Sequence, residues 1–220
     1  MKKYYFDECA NEANTLEKEK IALECLDIAN RAKFPTDFKD VYDHLFEDDS
    51  YIRLFVKDED NQIKGFVIGC LENGFDNYLV LHIHGIIMDP SVQGKGLSKK
   101  SLEYLVSKYS PDVLTAKTHN PRFFNSAMNI FDSSCHFYPN PDEETPEVVY
   151  DIVKSDKFID CVDSDLVYRD AYPDEKIMQS NNNPLVQRVF ENLKPFDAQA
   201  IVVIINGKIL ERGKERILRK

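Results

Sequence analysis

The stretch "MDPSVQGKGLSKKSLEYL", Met88 to Leu105, decides how the rest of the chain is read. Gly94 and Gly96 bracket Lys95, and an amphipathic run follows. Glycine lets the backbone take φ > 0 and come close to a ligand. Successive N–H groups then converge on an anion, and the following helix adds its positive N-terminal end. Lys95, Lys99 and Lys100 add charge, and Ser98 adds a hydroxyl donor. A pyrophosphate fits these terms.

Upstream, "NYLVLHIHGIIMD" reads as a long strand that stops at Asp89-Pro90, because proline cannot continue a ladder. Before it, "YIRLFVKDEDNQIKGFVIGCLENG" is a hairpin turning over Asp58 to Gln62. "YYFDEC" near the start is a short strand. "TLEKEKIALECLDIANRAK" predicts a helix capped by Thr15, with Leu16, Leu23, Leu26 and Ala29 on its apolar face. "PTDFKDVYDHLFEDD", opening with Pro35 and Thr36, predicts a second helix presenting Phe38, Val41, Tyr42, Leu45 and Phe46.

Downstream of the loop, a helix carries Leu97, Leu102, Leu105, Val106 and Tyr109. "DVLTAKTH" is a strand, "NPRFFNSAMNIFDS" a helix with Pro121 early, and "CHFYPN" a short strand. The order β-α-α-β-β-β-α-β-α-β fills about the first 140 residues. The Pro- and acid-rich "PNPDEETPE" is a junction. The chain is therefore divided into a core, 1–140, and an extension, 141–220. In the extension, "EVVYDIVKSDKF" is helical, "SNNNP" is a break, and "AQAIVVIINGKILERG" reads as a β-hairpin turning at Asn206-Gly207. Its run "AIVVIING" is too apolar for an exposed edge, so it is expected to be paired or buried.

The 220 residues are long enough to bury a sizeable core, and 43% apolar with 30% charged residues is a soluble globular composition. A net charge of -10 argues against nucleic-acid partners and suits an amine-bearing one. No secretory signal and no apolar run of ~20 residues is seen, so no membrane association is expected. The five cysteines, Cys9, Cys25, Cys70, Cys135 and Cys161, form no CxxC pair, which fits a reduced cytoplasmic compartment. Cys70 reads as a small core residue.

Two familiar phosphate loops fail here. A Walker A loop needs GxxxxGK[ST], but no glycine stands five residues before Gly94, and Gly96 takes the place of Ser or Thr. A dinucleotide fingerprint needs GxGxxG after the first strand of a parallel unit, but position 99 is lysine and the loop follows three consecutive strands.

The third type is the Q/R-x-x-G-x-G/A loop. Gln93, Gly96 and the small Ser98 match it, and the chain thereby resembles the GNAT N-acetyltransferase superfamily. "LHIHGIIMDP" is similar to that family's fourth strand, and "KGLSKKSLEYLVSKY" to the helix after it. "LTAKTHNPRFFNSAMNIFDSSCHFYP" is similar to its fifth strand, fourth helix and sixth strand. The resemblance covers roughly residues 3 to 140.

It implies an α/β (α+β) fold with a central mixed, mostly antiparallel sheet flanked by helices, and a C-terminal extension. It implies acetyl-CoA or coenzyme A as cofactor, entering a V-shaped gap beside the fourth strand. Ile86, Ile87 and Met88 would pair with pantetheine through backbone. Gln93, Gly94, Lys95, Gly96, Leu97 and Ser98 would hold the pyrophosphate. Asn120 and Asn125 match the pantetheine side, and Lys95, Lys99 and Arg122 are candidates for phosphate pairing.

The implied chemistry is direct acyl transfer to an amine, with a general base and no covalent enzyme intermediate. His84 and His82, two apart on one strand face, and Glu72 are the candidate bases. The family's leaving-group acid is a tyrosine on its fourth helix, where this chain reads "MNIFDSS" with Phe131 and Asp132; Tyr138 is nearby on a strand. That departure motivates a second reading, a CoA-binding module without catalysis. A nucleotide-binding protein using the same loop is a third. The H-x-H pair lacks a third ligand at recognisable spacing, so no metal is assigned. The acceptor is expected to be a small polyamine or a basic peptide, and a homodimer is compatible with the apolar C-terminal run.

Overall fold

The structure, a computed structural model, describes residues 3–8, 14–34, 36–130, 135–159, 162–171 and 182–211. Cys9, Pro35, Phe131, Asp132 and Cys161 lie outside the described residues. The chain divides into two compact units, 1–71 with 83–109, and 72–82 with 110–220.

The first unit opens with β1 (Tyr4–Glu8), α1 (Thr15–Arg31) and α2 (Phe38–Phe46), followed by β2 (Tyr51–Asp58) and most of β3 (Ile63–Asn73). β1 pairs antiparallel with β2 from Tyr4↔Asp58 to Glu8↔Leu54. β2 pairs antiparallel with β3 across the expected turn, with a bulge at Val56/Lys57. The Ile83–Met88 half of β4 (Leu79–Met88) follows, then α3 (Leu97–Tyr109). α1 and α2 cover β2 and β3 with Ala22, Cys25, Ile28, Val41 and Leu45 against Phe55, Phe66 and Ile68.

Two details of α1 differ from expectation. Its cap is Asn14, not Thr15. Asn14 Oδ1 accepts from Glu17 N–H at 3.1 Å while Glu17 accepts from Asn14 N–H at 3.0 Å, a reciprocal capping box. Its buried face is Ala22, Cys25, Ile28 and Ala29, whereas Leu16 and Leu23 are 76% and 56% exposed. Three of these four buried residues are small, and Leu16 and Leu23 are left on the outside. α2 follows the expected face through Val41, Leu45 and Phe46, and Asp37 caps it by accepting from Asp40 N–H at 2.8 Å.

Arg53, 2% exposed, reaches from β2 to the end of α2. It donates to the carbonyls of Leu45, of Tyr51 at 3.1 Å and of Asp48 at 2.6 Å, satisfying acceptors that the helix terminus leaves over. Arg53→Met removes those donors while leaving the carbonyls buried. Urea unfolding should show a loss of about 2–4 kcal/mol, since each orphaned buried polar group costs ~1–3.

The second unit contains the Leu79–His82 half of β4, β5 (Val113–Thr118), α4 (Pro121–Met128), β6 (His136–Tyr138), α5 (Glu147–Ser155), β7 (Val167–Tyr168), α6 (Pro184–Phe190) and β8 (Ala198–Ile204). β8 lies between β5 and β6 and is antiparallel to both, with Thr115↔Val202 on one side and Tyr138↔Val202 on the other. β7 also pairs with it. All seven β8 residues are buried. Both faces are covered, so the strand reads as a continuous apolar run instead of alternating. α5 packs Val148, Val149, Ile152 and Val153 against Val113, Ala200, Val202 and Ile204.

The expectation that this apolar run is paired or buried holds. The hairpin does not. Among the described residues after Ile204 there is no return strand, and 208–211 is a helical turn. The Asn206-Gly207 pair is used otherwise. Asn206 Nδ2 donates to Asp112 Oδ1 at 2.8 Å, and its Oδ1 accepts from Lys208 N–H at 3.3 Å, a cap. Asp112 also accepts through its carbonyl from Ile205 and Asn206, and through its carboxylate from Leu79 N–H. One aspartate thus ties the ends of β4, β5 and β8 within this unit.

Cys25 and Cys70 are buried and Cys135 is half-buried, none in a disulfide. Among the described residues, no helix is long and apolar enough to cross a membrane.

Candidate functional site

β4 hands over to the loop through Asp89, which is 2% exposed. Its N–H donates to Lys64 O at 2.9 Å. Its carboxylate accepts from Ser91 N–H at 2.8 Å and pairs with Arg31 at 2.9 Å. A short 3-10 turn, Pro90–Val92, follows. Gln93 then folds back, its side-chain amide donating to Met88 O at 2.9 Å. The loop is therefore pinned at its start by Asp89 and closed by Gln93.

Gly94 and Gly96 have φ of +76° and +71°. A Cβ built on either would meet nothing within 4 Å. Internal packing therefore does not demand glycine here. The backbone conformation does, and glycine leaves main-chain amides bare toward solvent. Gln93 to Gly96 are exposed. Gly96 O accepts from Lys100 N–H at 3.0 Å, opening α3. The N–H groups of the first turn, from Leu97 onward, have no acceptor within the helix. Bare amides in a positive-φ loop at a helix start fit a pyrophosphate.

The lysines are placed differently from the amides. Lys95 Nζ donates to Ser91 O at 2.9 Å and Tyr4 OH at 3.2 Å and lies over the Tyr4 ring. Lys99 pairs with Glu103 at 3.7 Å, and Lys100 is exposed. Ser98 is half-buried in the first turn and Leu97 is core.

From His84 to Ile87, four successive β4 residues are half-exposed, and a Cβ on Gly85 would also meet nothing. Alternation would bury every second one; here each residue of the segment is half-exposed. Ile86 and Ile87 lie in this segment, and Met88 is buried at its end. The His84 ring lies 4.7 Å from that of Tyr51, tilted by 42°.

His82 belongs to the second unit and is 1% exposed. Its Nδ1 is 2.9 Å from Thr115 Oγ1 and 3.1 Å from Asp156 Oδ2. Thr115 donates its hydroxyl to the same Asp156 oxygen at 2.5 Å, and Phe158 N–H donates to the other at 2.9 Å. The Phe158 ring stacks on the imidazole at 4.7 Å and 29°. Burial opposes a charge on Asp156, but the bond to His82 and its charge, the Thr115 hydroxyl and the Phe158 amide outweigh it and hold the carboxyl below its ordinary range.

Glu72, at the end of β3, pairs with Lys157 at 2.7 Å, so its charge is already balanced. Asn120 caps α4, accepting from Arg122 N–H at 3.0 Å. Asn125 Oδ1 accepts from Asn183 Nδ2 at 2.8 Å, tying α4 to α6. Arg122 is exposed. Tyr138 is on β6 as expected, 2% exposed, and burial together with the charge of Glu143 raises its pKa. Phe124 is core, edge-on to Phe137 and Phe190. Among the described residues no cluster of three or more His, Cys, Asp or Glu is arranged to hold a metal ion.

Sequence reasoning missed Arg31, Thr115 and Asp156. Arg31 lies far along the chain from Asp89, and Asp156 falls in the segment assigned to the extension. No spacing rule links either to its partner.

Four buried carboxylates share one consequence. In Asp58, Asp89, Asp156 and Asp197, burial raises the pKa, but hydrogen bonds and nearby cations outweigh it and leave each lowered. Each therefore titrates below its unfolded value of ~3.9. The stabilisation is complete above that value and drains as pH falls through the folded values. Thermal melts should lose this contribution only below about pH 4. Asp89→Asn, which abolishes the ion pair with Arg31, should make that acid loss less steep.

No curated protein matches this chain. Among solved structures, the ribosomal-protein-S18-alanine N-acetyltransferase from Escherichia coli aligns over 91% of this chain and 92% of its own, at 15% identity and a TM-score of 0.50. An acetyltransferase of the GNAT family from Desulfovibrio desulfuricans aligns over 53% of this chain and 73% of its own, at 18% identity and a TM-score of 0.41. The NatC complex bound to Gag peptide and CoA aligns over 58% of this chain and 83% of its own, at 14% identity and a TM-score of 0.46. At 15% identity the likeness to the first of these is one of fold, a mixed and mostly antiparallel sheet flanked by helices. Residues 21–147, more than half of the chain, match the Acetyltransferase (GNAT) family. With the positive-φ glycine loop between β4 and α3 in the place that family requires, the chain belongs to the GNAT acetyltransferase family.

Proposed function

We propose that the protein transfers an acyl group, acetyl in the first instance, from acyl-CoA to an amine. The observation that carries this is the loop, where the main-chain amides from Gln93 to Ser98, apart from that of Lys95, which donates to Val92 O at 3.4 Å, suit a pyrophosphate at the start of α3. Proteins of this family use acetyl-CoA. Ile86 and Ile87, both half-exposed, with Met88 at the strand end, would pair with pantetheine through backbone. The thioester supplies an activated acyl group when bound.

What the chain must supply is a proton acceptor for the attacking amine. His84 and His82 are the candidates on β4. Glu72 is less suited, because Lys157 already neutralises it. Asn120 and Asn125 have structural work as cap and tie, so any contact with the cofactor from them would come through the backbone or after those bonds are given up. The net charge of -10 favours a polyamine or a basic peptide as acceptor.

The test is calorimetric titration of coenzyme A into the full chain, then thiol release from acetyl-CoA with a panel of polyamines and basic peptides. Stoichiometric binding with amine-dependent release is expected. No binding overturns the reading. Binding without release by any amine replaces it with a CoA-binding module that does not catalyse.

A further inference from the structure

The apolar run near the C-terminus is consumed in β8, whose residues are all buried, and supplies no free apolar surface. The two most exposed large apolar side chains among the described residues are Leu16 and Leu23, and both stand on α1. We propose that the outer face of α1 is a self-association surface, on which α1 of a second copy of this chain lies antiparallel across a two-fold axis.

Spacing defines the face. Leu16, Lys20 and Leu23 follow one another at i, i+4 and i+7, so they share one side of the helix, with Glu19 beside them. The two leucines stand two turns apart, about 10 Å along the axis. Together with Glu17, Glu19 and Lys20 they line a shallow groove on the outside of the helix. The opposite side carries Ala22, Cys25, Ile28 and Ala29 into the core. The charges divide in the same way. Lys18 lies over the Phe46 ring of α2, and Asp27 pairs with Arg31 at 3.0 Å, so both are engaged within their own chain. Glu19 and Lys20 are exposed and make no ion pair with a described residue.

One symmetry operation satisfies all four positions. A two-fold interface sets residue i against residue j, and j against i. With the axis passing between Glu19 and Lys20, Leu16 faces Leu23 of the second copy and Glu19 faces its Lys20. Each pair then occurs twice. Other alignments are worse. A parallel pairing in register sets Glu19 against Glu19 and Lys20 against Lys20. Slipping the antiparallel pair by one residue sets Glu19 against Glu19 in one direction. In the other it sets Lys20 against Lys20 and the leucines against Glu17 and Glu24. Facing like charges disfavour all of these. This self-complementarity is what selects a second copy as the occupant. Two bodies of net charge -10 repel at long range, so their contact needs opposite charges where they meet, and Glu19 with Lys20 supplies them. One helix face is small against the ~1,200–2,000 Å² of a stable interface, so the dimer is weak and depends on concentration.

Sedimentation equilibrium of the full chain, from about 5 to about 500 μM and without any ligand, tests this separately from the acyl-transfer reading. The weight-average mass should rise from the 25.5 kDa of one chain towards twice that value. A chain that stays monomeric across the range overturns the proposal, and so does growth past a dimer, because a two-fold contact closes on itself. Leu23→Asp should weaken association at least about tenfold. Glu19→Lys sets lysine against lysine, and Lys20→Glu sets glutamate against glutamate. Each alone should also weaken association at least about tenfold, because every substitution counts twice across the axis. Mixed in equal amounts, these two variants present opposite charges to each other, and a heterodimer within about threefold of wild-type strength should form. All three positions are exposed, so the variants should keep the fold, which circular dichroism checks. Should Leu23→Asp fail to fold, the mixed pair still decides. Association that these substitutions leave unmoved, or that mixing does not restore, puts the contact elsewhere and overturns the proposal.

Discussion

Gly96→Glu abolishes coenzyme A binding, and calorimetry should show at least about a hundredfold loss of affinity. Two effects act together. Position 96 has φ +71°, a conformation that costs an L-residue roughly 1–2 kcal/mol. The side chain also projects a carboxylate into the place where loop amides and the start of α3 await an anion. Coulomb repulsion between carboxylate and pyrophosphate at ~4 Å is several kcal/mol at the effective dielectric of a protein surface. Gly96→Ala separates the two effects. Its Cβ meets nothing in the protein, so the fold should tolerate it apart from the backbone strain. A large loss of affinity with alanine as well would mean that the ligand approaches the bare Cα. A loss confined to glutamate would mean that charge alone decides. Unchanged affinity in Gly96→Glu removes the loop from the cofactor site altogether.

How much of this was legible in the sequence depended on whether the signal was local. The loop was legible because its requirements are carried by neighbours: two glycines for positive φ, a proline after the strand, an apolar period for α3. The element order of the first 140 residues was legible for the same reason, since strand alternation and helix spacing are local. The face of α1 was not, because Leu16 and Leu23 look like core, whereas the buried positions are Ala22, Cys25, Ile28 and Ala29. The Asn206-Gly207 turn was misread because the same dipeptide suits a hairpin and a helix cap, and Asp112, 94 residues away, decides between them. The His82 partners were invisible for the same reason of distance. A histidine on an apolar strand shows its type but not its tautomer, and only the fold brings Thr115 and Asp156 to Nδ1.

The apolar run near the C-terminus leads to the other large effect, and Val202→Asp should unfold the second unit. Val202 is fully buried on β8, opposite Thr115 of β5 and Tyr138 of β6. A carboxylate there loses its water without gaining a partner, and the valine's own burial, worth about 1.5–3 kcal/mol, is lost as well. The charge penalty alone reaches several kcal/mol, comparable with the ~5–15 kcal/mol that holds a domain folded. Circular dichroism and urea unfolding of Val202→Asp should show lost strand content or aggregated protein, and Val202→Ala, which deletes volume without charge, a milder loss of about 1–3 kcal/mol. The contrast carries a structural meaning. Were residues 141–220 an appendage, a charge at position 202 would melt only the appendage and leave β5 and β6 ordered. Because β8 is hydrogen-bonded to both, their amides should lose protection from hydrogen exchange along with its own. His82 and Thr115 lie in the same unit, so the hydrogen bond between them should be lost in the same variant. Preserved protection in β5 and β6 would instead mean that those two strands stand without the C-terminal segment.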